Sequence, residues 1–178
     1  MDRIHRDFQG RAGFSAHDWQ LKVTEALLLK LDCIVIAGTG SGKTIPFMIP
    51  LLADPSKKVI IISPLKVLQD DQVFRFKKLR IPAVAVNGET WSKWLKEELK
   101  EGLYQAILTS PEMCLKHTDF RTYITSSDFR RDITMVVIDE AHCISQWGGD
   151  FRKEYSLSYE SLNHIAGPFV THDGKQLL

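Results

Sequence analysis

A glycine-rich stretch in the first third of the chain has the residue types that bind a polyphosphate. It reads Ala37-Gly-Thr-Gly-Ser-Gly-Lys-Thr44, with alanine where the strict phosphate-loop pattern has its first glycine. Glycines permit the backbone angles that point several N–H groups into one concavity, and a helix starting near Lys43 would aim its positive end at the same anion. Lys43 can reach the β- and γ-phosphates of ATP, and the Thr44 hydroxyl can bind Mg²⁺. The candidate nucleotide-binding residues of this loop are Gly38, Thr39, Gly40, Ser41, Gly42, Lys43 and Thr44.

A pair of carboxylates near residue 140 completes the expected site. The apolar run Met135–Ile138 predicts a buried strand, and Asp139-Glu-Ala-His142 follows it directly. In a phosphate-loop fold a carboxylate at such a strand end lies beside the loop, so Asp139 is expected to hold Mg²⁺, directly or through water. Glu140 is placed to orient and deprotonate the attacking water. His142 can sense the γ-phosphate and link it to the site of a second ligand. The sequence has no Asn-Lys-x-Asp motif, so guanine specificity of the G-protein kind is not supported.

Apolar runs and helical patterns alternate along the chain. The most continuous run, Val59-Ile-Ile-Ile62, has the composition of a strand buried on both faces of a parallel sheet. Trp91 and Trp94 fall on an amphipathic helix and are expected to face the core rather than to stack on bases. The alternation predicts an α/β domain with a mostly parallel sheet. The predicted strands are 32–36, 59–62, 83–86, 106–109 and 135–138. The predicted helices are 18–31, 65–79 and 152–164, with further helices around 91–99 and after Pro111. A short helix is also predicted from Lys43, because Pro46 and Pro50 limit its length.

Composition narrows the class of protein. The chain has 178 residues, 44% of them hydrophobic, which suits one globular domain. Lys and Arg total 23 against 22 Asp and Glu, so a nucleic-acid partner would need a local basic patch. Cys33, Cys114 and Cys143 are widely spaced among apolar residues, which predicts reduced core residues rather than disulfides or a zinc site. With no signal segment and no apolar run of membrane-spanning length, we expect an intracellular protein with no membrane partner, nuclear if the source is eukaryotic and otherwise cytoplasmic.

Several motifs resemble, in order, those of the RecQ family of ATP-dependent DNA helicases, which belong to the DEAH-type helicases of superfamily 2. Asp139-Glu-Ala-His142 is the helicase form of the acidic motif, and the aromatic-rich segment after it closely resembles the loop at that place in RecQ proteins. The resemblance covers roughly residues 13–160 and implies the first of two RecA-like lobes, a three-layer phosphate-loop domain with helices flanking the central sheet. The matching segments are 63–73 (motif Ia), 109–112 (motif Ib), 139–142 and 143–155, with Gln20 at the spacing of the family's adenine-reading glutamine.

The resemblance also implies roles for individual residues. Gln20 would hydrogen-bond the adenine base. His142 and Gln146 would couple DNA binding to the ATP site. Aromatic faces stack on bases without reading sequence, and core packing is the alternative for these aromatic side chains. The residues that would contact single-stranded or partly duplex DNA are Trp147, Phe151, Arg152, Tyr155, Ser63, Lys66 and Ser110.

The chain departs from the family pattern at several places. Gly149 and Lys153 replace a histidine and a proline of the family loop, and His17-Asp-Trp19 stands where a Phe-Arg pair is expected before Gln20. Residues 167–178 do not resemble the family's next motif, and we expect the second lobe with its arginine finger to be absent from this chain. We therefore expect a loose N-terminal arm at 1–13, a RecA-like ATP-binding lobe at 14–166 and an atypical tail at 167–178.

These features predict an ATP- and nucleic-acid-binding N-terminal lobe of a RecQ-like DNA helicase. Because an arginine finger contributes a factor on the order of 10³ or more to phosphoryl transfer, the chain alone is expected to turn ATP over slowly and not to unwind DNA processively. A second RecA-like lobe or another copy of the chain would be the partner that supplies it. Two alternatives stay open. One is a non-catalytic nucleic-acid-binding or protein-binding module derived from such a lobe, and the other is a DEAD-box-type RNA helicase lobe, which His142 and the aromatic loop disfavour.

Overall fold

The computed structural model describes residues 2–38 and 40–141. Within these ranges the chain forms eight helices and four strands, with three helices before β1 and three between β3 and β4. The expectations for Thr39 and for all residues from His142 onward, including the aromatic loop, the helix at 152–164 and the tail at 167–178, lie outside the described residues. The helices are α1 (Asp2–Ala12), α2 (Asp18–Leu28), α3 (Ile45–Ala53), α4 (Lys66–Lys78), α5 (Lys93–Lys100), α6 (Pro111–Lys116), α7 (Thr118–Ile124) and α8 (Ser127–Asp132), and the strands are β1 (Lys58–Ile62), β2 (Ala83–Val86), β3 (Ala106–Thr109) and β4 (Ile133–Ile138).

The four strands form one parallel sheet with β1 in a central position. The strand order is β2-β3-β1-β4, and every neighbouring pair is parallel. Ile60 of β1 lies opposite Ile107 of β3 on one side and Val136 of β4 on the other. All residues of β1 are buried, as expected for a parallel strand covered on both faces. The strands predicted at 59–62, 83–86, 106–109 and 135–138 are therefore confirmed.

Alternate residues of β1 enter two separate cores, one on each face of the sheet. Val59 and Ile61 pack with residues of α1, α3 and α4, among them Phe8 and Phe76. Ile60 and Ile62 pack instead with residues of α5, α6, α7 and α8. The side chains alternate because successive residues of a strand point to opposite faces. Helices on both faces give the three-layer arrangement that the sequence predicts.

The N-terminal segment is a helix rather than the loose arm that the sequence suggested. Phe8 of α1 is fully buried, and its ring meets that of Phe14 edge-to-face at 5.5 Å between centroids. Ile4 and Ala12 pack against the same core. These three apolar residues recur every four positions, which places them on one face of a helix. The segment is rich in arginine, but the packing of these apolar residues against the rest of the domain orders it as a helix.

The stretch that leads into the phosphate loop does not form the predicted strand. Residues 31–38 have no regular secondary structure, and the side chains of Ile34 and Ile36 are 72% and 97% exposed. A strand exists only when a neighbour accepts and donates its backbone hydrogen bonds. None of the four described strands pairs with this stretch. The prediction of a buried strand at 32–36 is therefore wrong for this structure, although its apolar composition is that of a strand.

The helix after the phosphate loop runs further than its prolines suggested. Pro46 lies in the first turn of α3, where its missing N–H has no intrahelical partner to lose. Pro50 lies inside the helix, which nevertheless continues to Ala53. Met48, Ile49, Leu51 and Leu52 are buried in the core, and that packing outweighs one lost backbone hydrogen bond.

Two further expectations hold only in part. Trp91 packs against Phe120 with 5.2 Å between ring centroids, but it precedes α5, and Trp94 within the helix is 83% exposed. Cys114 is a buried thiol whose pKa is raised by burial to about 12, whereas Cys33 is exposed.

Among residues 2–38 and 40–141, no helix is both long and apolar enough to cross a membrane.

Candidate nucleotide site

The phosphate loop makes a tight turn directly before α3. Gly40 and Gly42 have φ angles of 78° and 79°, in the left-handed region that glycine adopts without a steric penalty. The Ile45 N–H donates to the Gly42 carbonyl at 3.0 Å, and Thr44 is the N-cap of α3. The positive end of α3 therefore adjoins the loop, which is the arrangement that favours a bound anion.

A buried glutamine from α2 holds the loop from the side. Gln20 is 1% exposed, and its Nε2 lies 3.1 Å from the Ser41 carbonyl oxygen and 3.2 Å from that of Gly42. Its Oε1 accepts a hydrogen bond from the His17 backbone N–H at 2.8 Å. A Cβ added at Gly42 would lie only 2.6 Å from Gln20 Nε2, so the loop backbone rests directly on this amide. The sequence pointed to Gln20 for nucleotide binding but not to this contact.

The acidic pair follows β4 and is held by the sheet. The Asp139 N–H donates to the Ile62 carbonyl at 2.9 Å, which extends the ladder between β4 and β1 by one residue. The Asp139 carboxylate accepts hydrogen bonds from Gln72 Nε2 at 2.5 Å and from the Glu140 N–H at 3.0 Å. Glu140 has a φ of 53°, which is uncommon for a residue with a side chain and turns the chain sharply. The two neighbouring carboxylates have different partners, Gln72 for Asp139 and Lys43 for Glu140.

The structure brings the two motifs together at one place. Lys43 Nζ lies 3.5 Å from Glu140 Oε1, although 97 residues separate them in sequence. Both side chains are about a quarter exposed, at 29% for Lys43 and 24% for Glu140. A ligand can therefore reach this ion pair from solvent.

A pocket of about 640 Å³ opens beside the phosphate loop. Its volume lies within the range of small-molecule sites, which is about 300–1,000 Å³. Cationic and aromatic side chains that the sequence did not indicate border it together with loop residues. The Arg75 guanidinium pairs with Asp71 at 2.8 Å, and Lys78 Nζ lies 4.5 Å from the centroid of the Phe74 ring. Residues lining the pocket include Arg11, Phe14, His17, Gln20, Gly40, Ser41, Gly42, Thr44, Arg75 and Lys78.

Gln72 is a site residue that the sequence did not reveal. It lies on α4, 67 residues before the Asp139 carboxylate to which it donates. Nothing in the local pattern of α4 distinguishes it from Gln69, whose Nε2 donates to the Ser63 carbonyl at 2.9 Å. The two glutamines have different partners only because of the way α4 packs against the carboxyl end of the sheet.

Comparison with known proteins decides the family. A family model described as DEAD/DEAH box helicase matches residues 17–176. The chain belongs to the DEAD/DEAH box helicase family. The phosphate loop and the Asp139-Glu140 pair both lie within the matched residues.

The curated relatives place it beside RecQ-type helicases, as the resemblance predicted. It is 38% identical over 141 residues to the ATP-dependent DNA helicase RecQ of Bacillus subtilis, covering 75% of this chain and 22% of the relative. It is 35% identical over 170 residues to the RecQ-like DNA helicase BLM of Xenopus laevis, with 86% and 12% covered. It is 32% identical over 154 residues to the ATP-dependent DNA helicase Q-like SIM of Arabidopsis thaliana, with 86% and 18% covered. The chain thus spans less than a quarter of the length of each of these relatives.

Solved helicase structures share the fold of this family member. The DUF1998 helicase MrfA, in a crystal structure with DNA and AMPPNP, superposes with a TM-score of 0.72 at 17% identity, over 93% of this chain and 24% of the other. A hypothetical ATP-dependent RNA helicase from Sulfolobus tokodaii gives a TM-score of 0.68 at 20% identity, over 92% and 47%. The predicted α/β fold with a parallel sheet flanked by helices in the RecA-like manner is confirmed.

Three residues named as nucleic-acid contacts fall within the described part of this helicase chain. Ser63 is fully buried, so its side chain does not face a nucleic acid in this structure. Lys66 is half exposed and pairs with Glu89. The Ser110 hydroxyl accepts a hydrogen bond from the Met113 N–H at 3.2 Å and so caps α6. The other predicted contact and coupling residues lie outside the described residues: His142, Gln146, Trp147, Phe151, Arg152 and Tyr155.

Proposed function

We propose that this chain is an ATP-binding lobe of a RecQ-like DNA helicase, which hydrolyses Mg-ATP in response to single-stranded DNA. The observation that carries the proposal is the approach of Lys43 to Glu140 at 3.5 Å, which brings the phosphate loop and the acidic motif together at one partly exposed place. Membership of the helicase family supports the same reading, as do relatives named as ATP-dependent DNA helicases.

Each charged group of this site has a role in the proposal. Lys43 would leave Glu140 to neutralise the β- and γ-phosphates, as the phosphate-loop lysine does in related systems. Glu140, released from that ion pair, would orient the attacking water and accept its proton. Gln72 would hold the Asp139 carboxylate in place through the contact between Nε2 and Oδ2.

The residues present fit a magnesium ion. Asp139 offers carboxylate oxygens at the end of β4, and Thr44 offers a hydroxyl at the N-cap of α3; both are the hard oxygen donors that Mg²⁺ prefers. No cluster of three or more metal-binding side chains occurs among the described residues, which agrees with an ion held by one or two protein groups and by substrate phosphates. Bound Mg²⁺ would neutralise the charge that develops on the phosphate oxygens.

Coupling to DNA would come from the segment directly after the acidic pair. In this proposal Trp147, Phe151, Arg152 and Tyr155 contact single-stranded DNA, and His142 and Gln146 relay its presence to Glu140. Aromatic stacking contributes about 1–3 kcal/mol per base without reading sequence, which suits a motor that acts on any strand. An arginine finger from a second RecA-like lobe, or from another copy of the chain, would complete the site. Without it we expect slow turnover and no processive unwinding.

The test is ATP hydrolysis with Mg²⁺, measured with and without single-stranded DNA. The variants are wild type, Glu140→Gln and, as a matched control, Glu97→Gln on the exposed face of α5. The proposal predicts turnover that DNA stimulates, that Glu140→Gln abolishes and that Glu97→Gln leaves unchanged. If wild type shows no turnover while both it and Lys43→Ala still bind DNA, the enzyme proposal fails and a non-catalytic binding module remains.

A further inference from the structure

The second half of α4 carries a cluster of cations on a chain that is almost neutral overall. Arg75, Lys77, Lys78 and Arg80 fall within six residues, whereas the whole chain has a net charge of +1. All four residues are exposed. Arg75 pairs with Asp71, but in the described part of the chain no ion pair involves any of the other three. Their charge is therefore directed to solvent, and they form a local basic patch of the kind that a nucleic-acid partner requires.

A helix end explains only part of this cluster. Cations in the last turn of a helix offset the partial negative charge of its carboxyl end, and this accounts for Arg75, Lys77 and Lys78. Arg80 lies beyond the helix and has a φ of 60°, in the left-handed region. Glycine is the usual residue at such a position directly after a helix. The arginine therefore adds a further cation at a cost in backbone conformation.

An exposed aromatic ring lies within the same cluster. Phe74 is 58% exposed, and Lys78 Nζ lies 4.5 Å from the centroid of its ring. The two side chains are four positions apart and so share the solvent face of α4, whereas Phe76 between them is fully buried in the core. Exposed rings among cations suit single-stranded nucleic acid, because the rings stack on unpaired bases and the cations neutralise phosphates.

Exposure of an aromatic residue alone does not make such a surface. Trp94 on α5 is 83% exposed, but α5 and the residue after it carry three lysines and three glutamates. Lys100 of this helix pairs with Glu97 at 2.9 Å. An exposed ring and an excess of positive charge therefore coincide at Phe74 and not at Trp94.

We infer that Phe74, Lys77, Lys78 and Arg80, here called the α4 surface, form a second binding site for single-stranded nucleic acid. The site is separate from the contact expected at Lys66, which lies at the other end of α4, about 18 Å away along the helix axis. Phe74, Lys77 and Arg80 do not line the pocket beside the phosphate loop. The α4 surface therefore holds a strand whether or not nucleotide is bound.

The test is binding of a single-stranded oligothymidylate without nucleotide, followed by fluorescence anisotropy at several salt concentrations. Phe74→Ala should weaken binding about fivefold or more, which is the contribution of one stacked base. Combining Lys77→Gln with Arg80→Gly should lower the slope of log affinity against log salt by about 1.4, because each phosphate contact to a single strand contributes about 0.7.

Arg80→Gly separates binding from folding. Glycine adopts the left-handed conformation at this position without a steric penalty, so the melting temperature should not fall. The same variant should nevertheless bind the oligonucleotide more weakly. ATP hydrolysis without DNA should be unchanged in the variants at Phe74, Lys77 and Arg80, because these residues do not line the nucleotide pocket.

Matched controls lie on the opposite face of the sheet. Trp94→Ala and Lys100→Gln remove an exposed ring and an exposed cation from α5, which packs in the other core. Neither should change the affinity for the oligonucleotide or its salt dependence.

Three results would overturn the inference. The first is a wild type that does not bind the oligonucleotide, and the second is a set of α4 variants that bind as tightly as wild type and the two controls. The third is a loss of affinity on removing the cations but not on Phe74→Ala, together with equal binding of a duplex of the same length. In that case the cations attract any polyanion, and the surface is not a site for single strands.

Discussion

Two apolar stretches of nearly the same composition have opposite environments in this molecule. Val59-Ile-Ile-Ile62 forms β1, and none of these four residues is exposed at all. Cys33-Ile-Val-Ile36 has no regular structure, and Ile36 is 97% exposed. The difference lies in the partners, since β1 pairs with β3 and β4, whereas residues 31–38 pair with no described strand. An apolar run therefore forms a buried strand only where neighbouring strands can take its backbone hydrogen bonds.

The same difference divides the candidate site into two halves with different supports. The acidic half continues β4, and the Asp139 N–H is bonded to the carbonyl of Ile62 in β1. The phosphate loop follows the irregular stretch and is held instead by the side chain of Gln20 and by the start of α3. One half depends on the backbone ladder, and the other on a few side-chain contacts. Substitutions in the acidic half should therefore disturb the backbone ladder, whereas substitutions in the loop half should disturb its side-chain contacts.

The largest effect is expected from Ile61→Ala in β1. The side chain of Ile61 is fully buried in the core that α1, α3 and α4 share with the sheet. Removing its methyl and methylene groups leaves a cavity, so the free energy of unfolding should fall by about 2–5 kcal/mol. Urea unfolding followed by circular dichroism measures the change. A loss below about 1 kcal/mol would contradict a close-packed β1.

The need for a neighbouring strand also explains which of the predicted strands form. Four of the five predicted strands are correct, because their apolar runs have neighbours to pair with. The sequence missed α1 because its arginines dominate the composition, although Ile4, Phe8 and Ala12 recur at helical spacing. It also stopped α3 too early at Pro50, because the burial of its neighbours cannot be read from local pattern.

The candidate site was predictable in its residue types but not in its contacts. Asp139, Glu140, Lys43 and the loop glycines follow from chemistry, since a triphosphate needs those groups at those spacings. The contact of Gln72 with Asp139 spans 67 residues, and that of Gln20 with the loop spans 21 and 22. Such pairs are created by the packing of helices against the sheet, so no periodicity within one element indicates them.

A smaller and more local effect is expected from Gly42→Ala. The φ of 79° at this position is strained for alanine, and the new Cβ would lie 2.6 Å from Gln20 Nε2 and 2.9 Å from Ile45 Cδ1. We expect a loss of about 1–3 kcal/mol in stability and, because the loop must shift, a loss of nucleotide affinity. Calorimetric titration with Mg-ATP, together with thermal unfolding, measures both.

Gly88→Ala is the matched control for this substitution. Apart from Gly88 itself and its two chain neighbours, no atom lies within 4 Å of a Cβ added there, and its φ is not in the left-handed region. The control should change neither stability nor nucleotide affinity. If Gly42→Ala behaves like Gly88→Ala, the loop is not held against Gln20, and the contrast between the two halves of the site disappears.

The smallest effect is expected from Ile36→Ala, which makes the same chemical change as Ile61→Ala in the other apolar stretch. A side chain that is 97% exposed has nearly the solvent contact of the unfolded chain, so the free energy of unfolding should change by less than about 0.5 kcal/mol. Nucleotide affinity should also be unchanged, because the loop is held by Gln20 and α3 rather than by this stretch. The measurement is the same urea titration, run beside Ile61→Ala. A loss as large as that of Ile61→Ala would mean that Ile36 is buried in solution, that a backbone ladder supports the loop as well, and that the contribution of Gln20 is correspondingly smaller.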